Sequence, residues 1–313
     1  MKIVVVGAGF MGQNHARVVS NTPGVQLAGI VETNEARAKE LASAHNAPWQ
    51  PTIDGIVADA AIIATPTASH HQNTISALQA GMHVLVEKPI AASAIHARDM
   101  IDTARRLDRV LQVGHIERFN PAFIQLQELV TKQPVAASFR RYSPHPQRIT
   151  DSVVHDVMIH DADLALAMFG SSQVDDVVAR SVIGASGVDE ITTAVVSFAS
   201  GAIVTLSANR LAQNKVRQID LTLPEAQFSV DLLRQTISKQ SWAAPGLSDG
   251  NKPAFQHSAV EEIPYRSVAG EPLQLQLDAF IAACRGTRPV QVTGEHGLNA
   301  LKLCDWICHA ARI

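Results

Sequence analysis

The sequence predicts two domains: an α/β domain on a parallel sheet over residues 1–119, and an α+β domain with a large, mostly antiparallel open sheet over residues 120–313. Three observations carry this. Up to about residue 115, short apolar runs alternate with amphipathic helical stretches, the rhythm of strand–helix–strand units. The first of those runs leads straight into a glycine-rich turn. Beyond residue 120 the rhythm gives way to period-two alternation and a hairpin signal, which is antiparallel chemistry. At 313 residues and 46% hydrophobic content the chain has core enough for both domains.

Lys2–Val6 is a continuous apolar run, as a parallel strand covered on both faces requires. Gly7-Ala8-Gly9-Phe10-Met11-Gly12 follows at once, and Gln13 to Ser20 continues at helical spacing. A glycine turn between strand and helix lets the backbone approach a pyrophosphate, and the helix N-terminus supplies free N–H groups to it. Val25–Val31 is the next strand and ends in Glu32, twenty residues after Gly12. A carboxylate there accepts from both hydroxyls of an adenosine ribose and repels a 2′-phosphate, which favours NAD over NADP.

Asn34 to His45 reads as an amphipathic helix, followed by a Pro-Trp-Gln-Pro connection. The third strand, Ala60–Ala64, runs into Thr65-Pro66, and a helix opens at Ser69-His70-His71 and stops at Gly81. Met82–Val86 is the fourth strand and ends in Glu87-Lys88-Pro89, where the proline stops the ladder. Ser93 caps a helix to about Asp108, and Val110–Val113 ends in Gly114-His115. Five strand ends thus carry polar or glycine-rich loops. In an open parallel sheet that is the edge where ligands bind.

The second domain opens with a helix at Asn120-Pro121 and a strand at Val135–Tyr142. Ile191–Ala199, the turn Ser200-Gly201 and Ala202–Asn209 form a hairpin, and Val216–Leu223 and Gln227–Leu232 continue the sheet. Ser241–Pro253 reads as a surface loop, and two helices, about 272–285 and 295–311, close the chain. Within this domain Asp156 and His160 are four apart, so they share one face of a helix. A carboxylate beside an imidazole supports a general base near neutral pH. His155 and Asp163 make a metal site conceivable, but no His-Glu-x-x-His pattern is present and no metal is expected. Arg118, Arg140, Arg141, Arg148 and His145 precede that helix and suit an anionic substrate; strand alternation puts Arg140 and Arg141 on opposite faces.

Composition removes several classes. Net charge is −3 without a long run of either sign, which argues against nucleic-acid or anionic-membrane partners. No apolar stretch is long enough to span a bilayer, and residues 1–6 read as a strand rather than a secretory leader. The cysteines (Cys284, Cys304, Cys308) are odd in number and lack zinc spacing, which suits a reducing cytoplasm.

With Gly7–Gly12, Ala64-Thr65-Pro66 with His70, Ala80-Gly81, Glu87-Lys88-Pro89 and Asp156-x-x-x-His160 in order, the chain resembles the Gfo/Idh/MocA oxidoreductases. The resemblance implies a Rossmann domain and an open-sheet C-terminal domain, NAD as cofactor, and a catalytic group of Lys88, Asp156 and His160. It implies cofactor contacts at Gly7, Gly9, Phe10, Met11, Gly12, Glu32, Thr65, Pro66, His70, Glu87 and Lys88. Met158 stands where the family usually has glycine. That departure and the run Gly114-His115-Ile116-Glu117-Arg118-Phe119-Asn120-Pro121 resemble a branch containing UDP-N-acetylglucosamine 3-dehydrogenases. The expected substrate set is then Lys88, His115, Arg118, Asn120, Arg148, Asp156 and His160. The expected reaction is oxidation of a secondary hydroxyl on a sugar or sugar nucleotide. Its alternatives are a free-sugar or inositol dehydrogenase and an NAD-dependent glycoside hydrolase on the same fold. A homodimer or homotetramer through the open sheet is expected as well.

Overall fold

The computed structural model describes residues 1–144, 151–170, 173–185, 187–242, 258–264 and 270–313. Its contacts divide the chain into two compact units. One comprises Met1–Phe119 with Gly270–Lys302, the other Asn120–Ala269 with Leu303–Ile313.

In the first unit the elements run β1 (Lys2–Val6), α1 (Phe10–Asn21), β2 (Gln26–Val31), α2 (Glu35–Ala44), β3 (Trp49–Gln50), β4 (Ala60–Ile63), α3 (His70–Gln79), β5 (His83–Glu87), α4 (Ala94–Arg106) and β6 (Leu111–Gly114). The six strands form one parallel sheet in the order β3-β2-β1-β4-β5-β6. Alternate residues of each strand enter different cores. Val4, Val6, Ala61, Ile63, Val84 and Val86 pack on one side. Ile3, Val5, Ile30, Ala60, Ile62 and Leu85 pack on the other. That is why these strands read as unbroken apolar runs rather than alternating ones. Helix starts follow side-chain caps: Asn34 accepts from the Arg37 N–H and Ser93 from the His96 N–H. The Pro-Trp-Gln-Pro connection corrects the five-strand expectation, because β3 pairs there through Ile30↔Trp49 and Val31↔Gln50. Two residues are too few to show a period.

The second unit contains α5 (Pro121–Leu129), β7 (Ala136–Tyr142), α6 (Ile159–Phe169), β8 (Val174–Ile183), β9 (Asp189–Phe198), β10 (Ile203–Asn209), β11 (Val216–Thr222), β12 (Ala226–Asp231), β13 (Thr236–Trp242) and β14 (Ser258–Ile263). Its eight strands lie in the order β14-β13-β12-β11-β7-β10-β9-β8. Every pairing is antiparallel except β7 with β10. Helices α5 and α6 pack on one face. The other face leaves Val178, Val182, Val195 and Ile203 exposed. Strand β13 takes in Ser241 and Trp242, the start of the expected surface loop; residues 243–253 of that loop lie outside the described residues. Two helices complete the chain, α7 (Pro272–Cys284) and α8 (Gly294–Ala311); α7 belongs to the first unit, where it packs on α1. Among the described residues no helix is long and apolar enough to cross a membrane.

Candidate active site

In the first unit the strand order reverses between β1 and β4, the crevice where open α/β sheets take ligands. Gly7 sits there with φ +102°, its N–H donating to the Val31 carbonyl at 2.7 Å. A Cβ at Gly7 would stand 2.5 Å from the Ala64 carbonyl oxygen, and one at Gly12 would stand 1.9 Å from the Gly7 carbonyl oxygen. A Cβ at Gly9 would meet nothing within 4 Å, and no side chain caps α1. The first N–H groups of α1 therefore face open space above a glycine, the cradle a pyrophosphate needs. Phe10 and Met11 form the first turn of that helix, Phe10 being well exposed.

Glu32 follows β2, with one carboxylate oxygen accepting from the Ala8 N–H and the other from the Asn34 N–H, both at 2.9 Å. Partial burial pushes its pKa up, but these N–H donors outweigh it and hold the group below the ordinary 4.5. The oxygen bonded to Ala8 keeps a lone pair for a ribose hydroxyl, and the other also accepts from the Thr33 hydroxyl at 3.3 Å, a rotatable donor that a second ribose hydroxyl would displace. Glu32→Ala is expected to raise the Kd for NADH by one to two orders of magnitude and to narrow discrimination against NADP, read by fluorescence titration. Wild-type affinity is expected to decline at a lower pH than a carboxylate of ordinary pKa would give, because these donors keep Glu32 charged further into acid.

Thr65 and the exposed Pro66 follow β4. His70, expected at the cofactor, is buried instead, with Nδ1 2.8 Å from the Pro89 carbonyl oxygen and Nε2 2.8 Å from that of Thr65. It ties the turn after β4 to the turn after β5; burial lowers its pKa despite the two carbonyls. Glu87 also faces inward. Its carboxylate lies 2.7 Å from His15 Nε2, and both side chains are buried. The second Glu87 oxygen accepts from the Lys88 N–H at 3.3 Å. A Cβ at Gly114 would come within 3.0 Å of that carboxylate, so glycine on β6 gives it room. Lys88 itself is half-buried, with a cis peptide bond to Pro89. His115 is buried after β6, and Arg118 is half-buried in the helical turn Ile116–Phe119.

In the second unit Asn120 is taken up by the fold: Oδ1 accepts from the Ala122 N–H to cap α5, and Nδ2 donates to the Leu232 carbonyl. Arg148 and His145 lie outside the described residues. The segment carrying Asp156 is a π-turn, Val154–Met158, that continues into α6. Such turns interrupt the α ladder and recur at functional sites. Asp156 is exposed and His160, four residues on, is half-buried. Ser152 Oγ accepts from the Val154 N–H, and the Asp189 carboxylate, from β9, accepts from the Val153 N–H and the Ser152 hydroxyl. Arg140 pairs with Asp220 at 2.8 Å and the buried Arg141 with Asp161 at 2.7 Å, so alternation placed them on opposite faces. Cys308 lies 3.8 Å from His155 Nδ1, and burial pushes its thiol up to about 11 and that of Cys284 to about 12. These thiols are protonated at neutral pH, the state of packing groups rather than nucleophiles. Among the described residues no cluster of three His, Cys, Asp or Glu could hold a metal ion.

The family model described as an oxidoreductase family with an NAD-binding Rossmann fold matches residues 1–115, and the Gfo/Idh/MocA C-terminal domain matches residues 127–228. The chain belongs to the Gfo/Idh/MocA oxidoreductases. Among this family's members, UDP-N-acetylglucosamine 3-dehydrogenase of Acidithiobacillus ferrooxidans is 31% identical over 96% of this chain and 94% of its own. A solved structure of that enzyme superposes with a TM-score of 0.89, covering 99% of this chain and 97% of its own at 28% identity. Inositol 2-dehydrogenase of Rhizobium meliloti is 25% identical over 96% of this chain and 94% of its own. Levoglucosan dehydrogenase in complex with NADH and levoglucosan shares the fold, with a TM-score of 0.83 at 19% identity over 100% of this chain and 97% of that one.

The sequence reading missed His15, Asp189, Glu190 and Arg210. The signals were present. His15 interrupts the buried stripe Gly12, Ala16, Val19 of α1. Arg210 continues the buried parity of Val204, Leu206 and Ala208 along β10.

Proposed function

We propose that this Gfo/Idh/MocA oxidoreductase oxidises a secondary hydroxyl of a sugar nucleotide with NAD, and that the position oxidised is C3 of UDP-N-acetylglucosamine. The observation that carries this is the end-to-end similarity, at 31% identity, to an enzyme of that name. The first unit is the NAD-binding domain and the second the substrate and self-association domain of a cytoplasmic enzyme.

The uncapped start of α1 and the open space at Gly9 fit a dinucleotide pyrophosphate, and Glu32 fits its ribose. NAD, when bound, supplies the acceptor for the hydride that leaves the alcohol carbon. Lys88 donates a hydrogen bond to the reacting hydroxyl and stabilises the alkoxide character that develops on it. His160 accepts the hydroxyl proton, and Asp156 holds the imidazole in the required tautomer and supports its positive charge. Arg118 and Arg148 suit the diphosphate of the substrate. NADH absorbance with UDP-sugars, free hexoses and inositols is the test: the proposal requires a signal with UDP-N-acetylglucosamine and a 3-keto product. A signal with inositol alone would discard the nucleotide reading in favour of the second candidate, an inositol dehydrogenase, which the similarity to inositol 2-dehydrogenase supports.

Self-association through the uncovered sheet face is part of this proposal. Val178 of β8 lies directly opposite Val195 of β9, and both are exposed. Val195→Lys is expected to lower the molar mass measured by light scattering to that of one chain. A mass above one chain that Val195→Lys leaves unchanged would refute this face.

A further inference from the structure

Arg210 is among the largest fully buried side chains in the protein, with 2% exposure, and it lies just past the end of β10. Its Nη1 donates to the Asp151 carbonyl at 2.9 Å and its Nη2 to the Asp189 carbonyl at 2.7 Å. Its Nε lies 3.4 Å from the buried Glu190 carboxylate, and Nη1 also lies 3.8 Å from the Asp156 carboxylate. The backbone is held too, since the Arg210 N–H donates to the Glu190 carbonyl at 2.9 Å. One guanidinium thus joins the start of β9, the residue preceding the Ser152 cap, and an acid on the π-turn.

Burying a cation is costly unless it is compensated; here each terminal nitrogen donates to one carbonyl, while Nε makes no hydrogen bond and has only the charge of the Glu190 carboxylate near it. Asp156 is the second of the two carboxylates that face this buried charge. The contact from Nη1 points outward, toward the one exposed acid of the π-turn, four residues before His160. We propose that Arg210 is a positioning residue for the Asp156–His160 pair: the ion pair from its Nη1 holds the Asp156 carboxylate, and its fixed charge acts on His160. Other charged groups belong to or face this helix, the buried Asp163 of α6 among them. Arg141 of β7 pairs with Asp161, Asp305 of α8 with His155, and the Asp189 carboxylate caps the helix start.

The sign follows from electrostatics. Removing the cation relieves repulsion of a protonated His160 and unshields the Asp156 anion, and both raise the His160 pKa. A base with a raised pKa is protonated to higher pH, so the acidic limb of kcat/KM moves up.

The inference rests on the dehydrogenase reading for its kinetic arm only. The test is Arg210→Met against Arg210→Lys, each also in an Asp156→Asn background. His160 titration is followed by NMR, with its signal assigned from His160→Asn, and needs no substrate. For Arg210→Met the expected results are a His160 titration and a kcat/KM limb moved upward by several tenths of a unit. A loss of tenfold or more in kcat/KM is expected alongside unchanged NADH affinity. Arg210→Lys restores the titration, and the kcat/KM loss from Arg210→Met disappears in Asp156→Asn. Should Arg210→Met fail to fold, Arg210→Met/Glu190→Gln removes both buried charges and takes its place. A His160 titration that does not move, or an equal loss in the Asp156→Asn background, would overturn the proposal and leave Arg210 a fold residue. A moved titration in a protein that oxidises no sugar would sustain it and refute the dehydrogenase reading.

Discussion

Lys88→Ala is expected to lower kcat by about three orders of magnitude while leaving the Kd for NADH within about threefold. The first figure is what loss of a charged donor to a developing alkoxide costs, roughly 10²–10³, with further loss where proton transfer depends on the same hydroxyl. The second follows from where the cofactor contacts lie. The glycine turn and Glu32 belong to β1, α1 and β2, and their hydrogen bonds do not run through the Lys88 side chain. The backbone at Lys88 is held independently, because Glu87 is anchored by His15 and the Pro89 carbonyl by His70. Truncating the side chain therefore removes an amine without moving the turn. Lys88→Arg is the sharper comparison. It keeps the charge but replaces a compact ammonium by a planar fork, and it is expected to recover little of the loss. Steady-state NADH formation and a fluorescence titration separate the two constants. Turnover within tenfold of wild type for Lys88→Ala would remove Lys88 from the proposed mechanism.

The first unit was more legible than the second, for a physical reason. Its strands are covered on both faces, so each is an unbroken apolar run, and each ends in residues chosen for backbone conformation or charge. Gly7-Ala8-Gly9, Glu32 and Glu87-Lys88-Pro89 can be found without knowing which strands are neighbours. What could not be read there was direction. Glu87 and His70 stand beside candidate functional groups in sequence, yet their side chains turn inward to His15 and to two backbone carbonyls. Facing is a property of the packed state. In the second unit the hairpin of β9 and β10 was visible because its halves are adjacent, whereas β8, β13 and β14 were not recognised. In β8 the exposed Val178 and Val182 make both faces apolar, and the adjacent acids Asp175-Asp176 of β8 and Glu261-Glu262 of β14 break the period of two. The polar knot of Asp189, Glu190 and Arg210 around the start of the Asp156 helix brings together residues far apart in the chain. Only the pairing of β9 with β10 brings Arg210 to Glu190.

Gly12→Ala is expected to damage the glycine turn both as packing and as a binding device. Gly12 lies inside α1, where alanine would ordinarily stabilise the helix by about 1 kcal/mol. Sterics decide otherwise. The new Cβ would fall 1.9 Å from the Gly7 carbonyl oxygen, a distance no contact tolerates. Gly7 cannot retreat, because its N–H is bonded to Val31 and its Cα already lies close against the Ala64 backbone. The helix must move instead, carrying its first N–H groups away from the pyrophosphate. Displacements of about 1 Å in a positioned site cost on the order of 10²-fold. Gly12→Ala is therefore expected to weaken NADH binding by about two orders of magnitude and to lower the melting temperature of the protein without cofactor. Gly9→Ala is the control that isolates the ligand. Its φ of −73° suits any residue and its Cβ would meet nothing in the protein, so the melting temperature without NAD should hold. Affinity should still fall, because the methyl group occupies the space the phosphates approach. If Gly9→Ala bound NADH as the wild type does, the pyrophosphate would have to lie elsewhere. If Gly12→Ala kept both stability and affinity, the packing of α1 against the turn would be wrong.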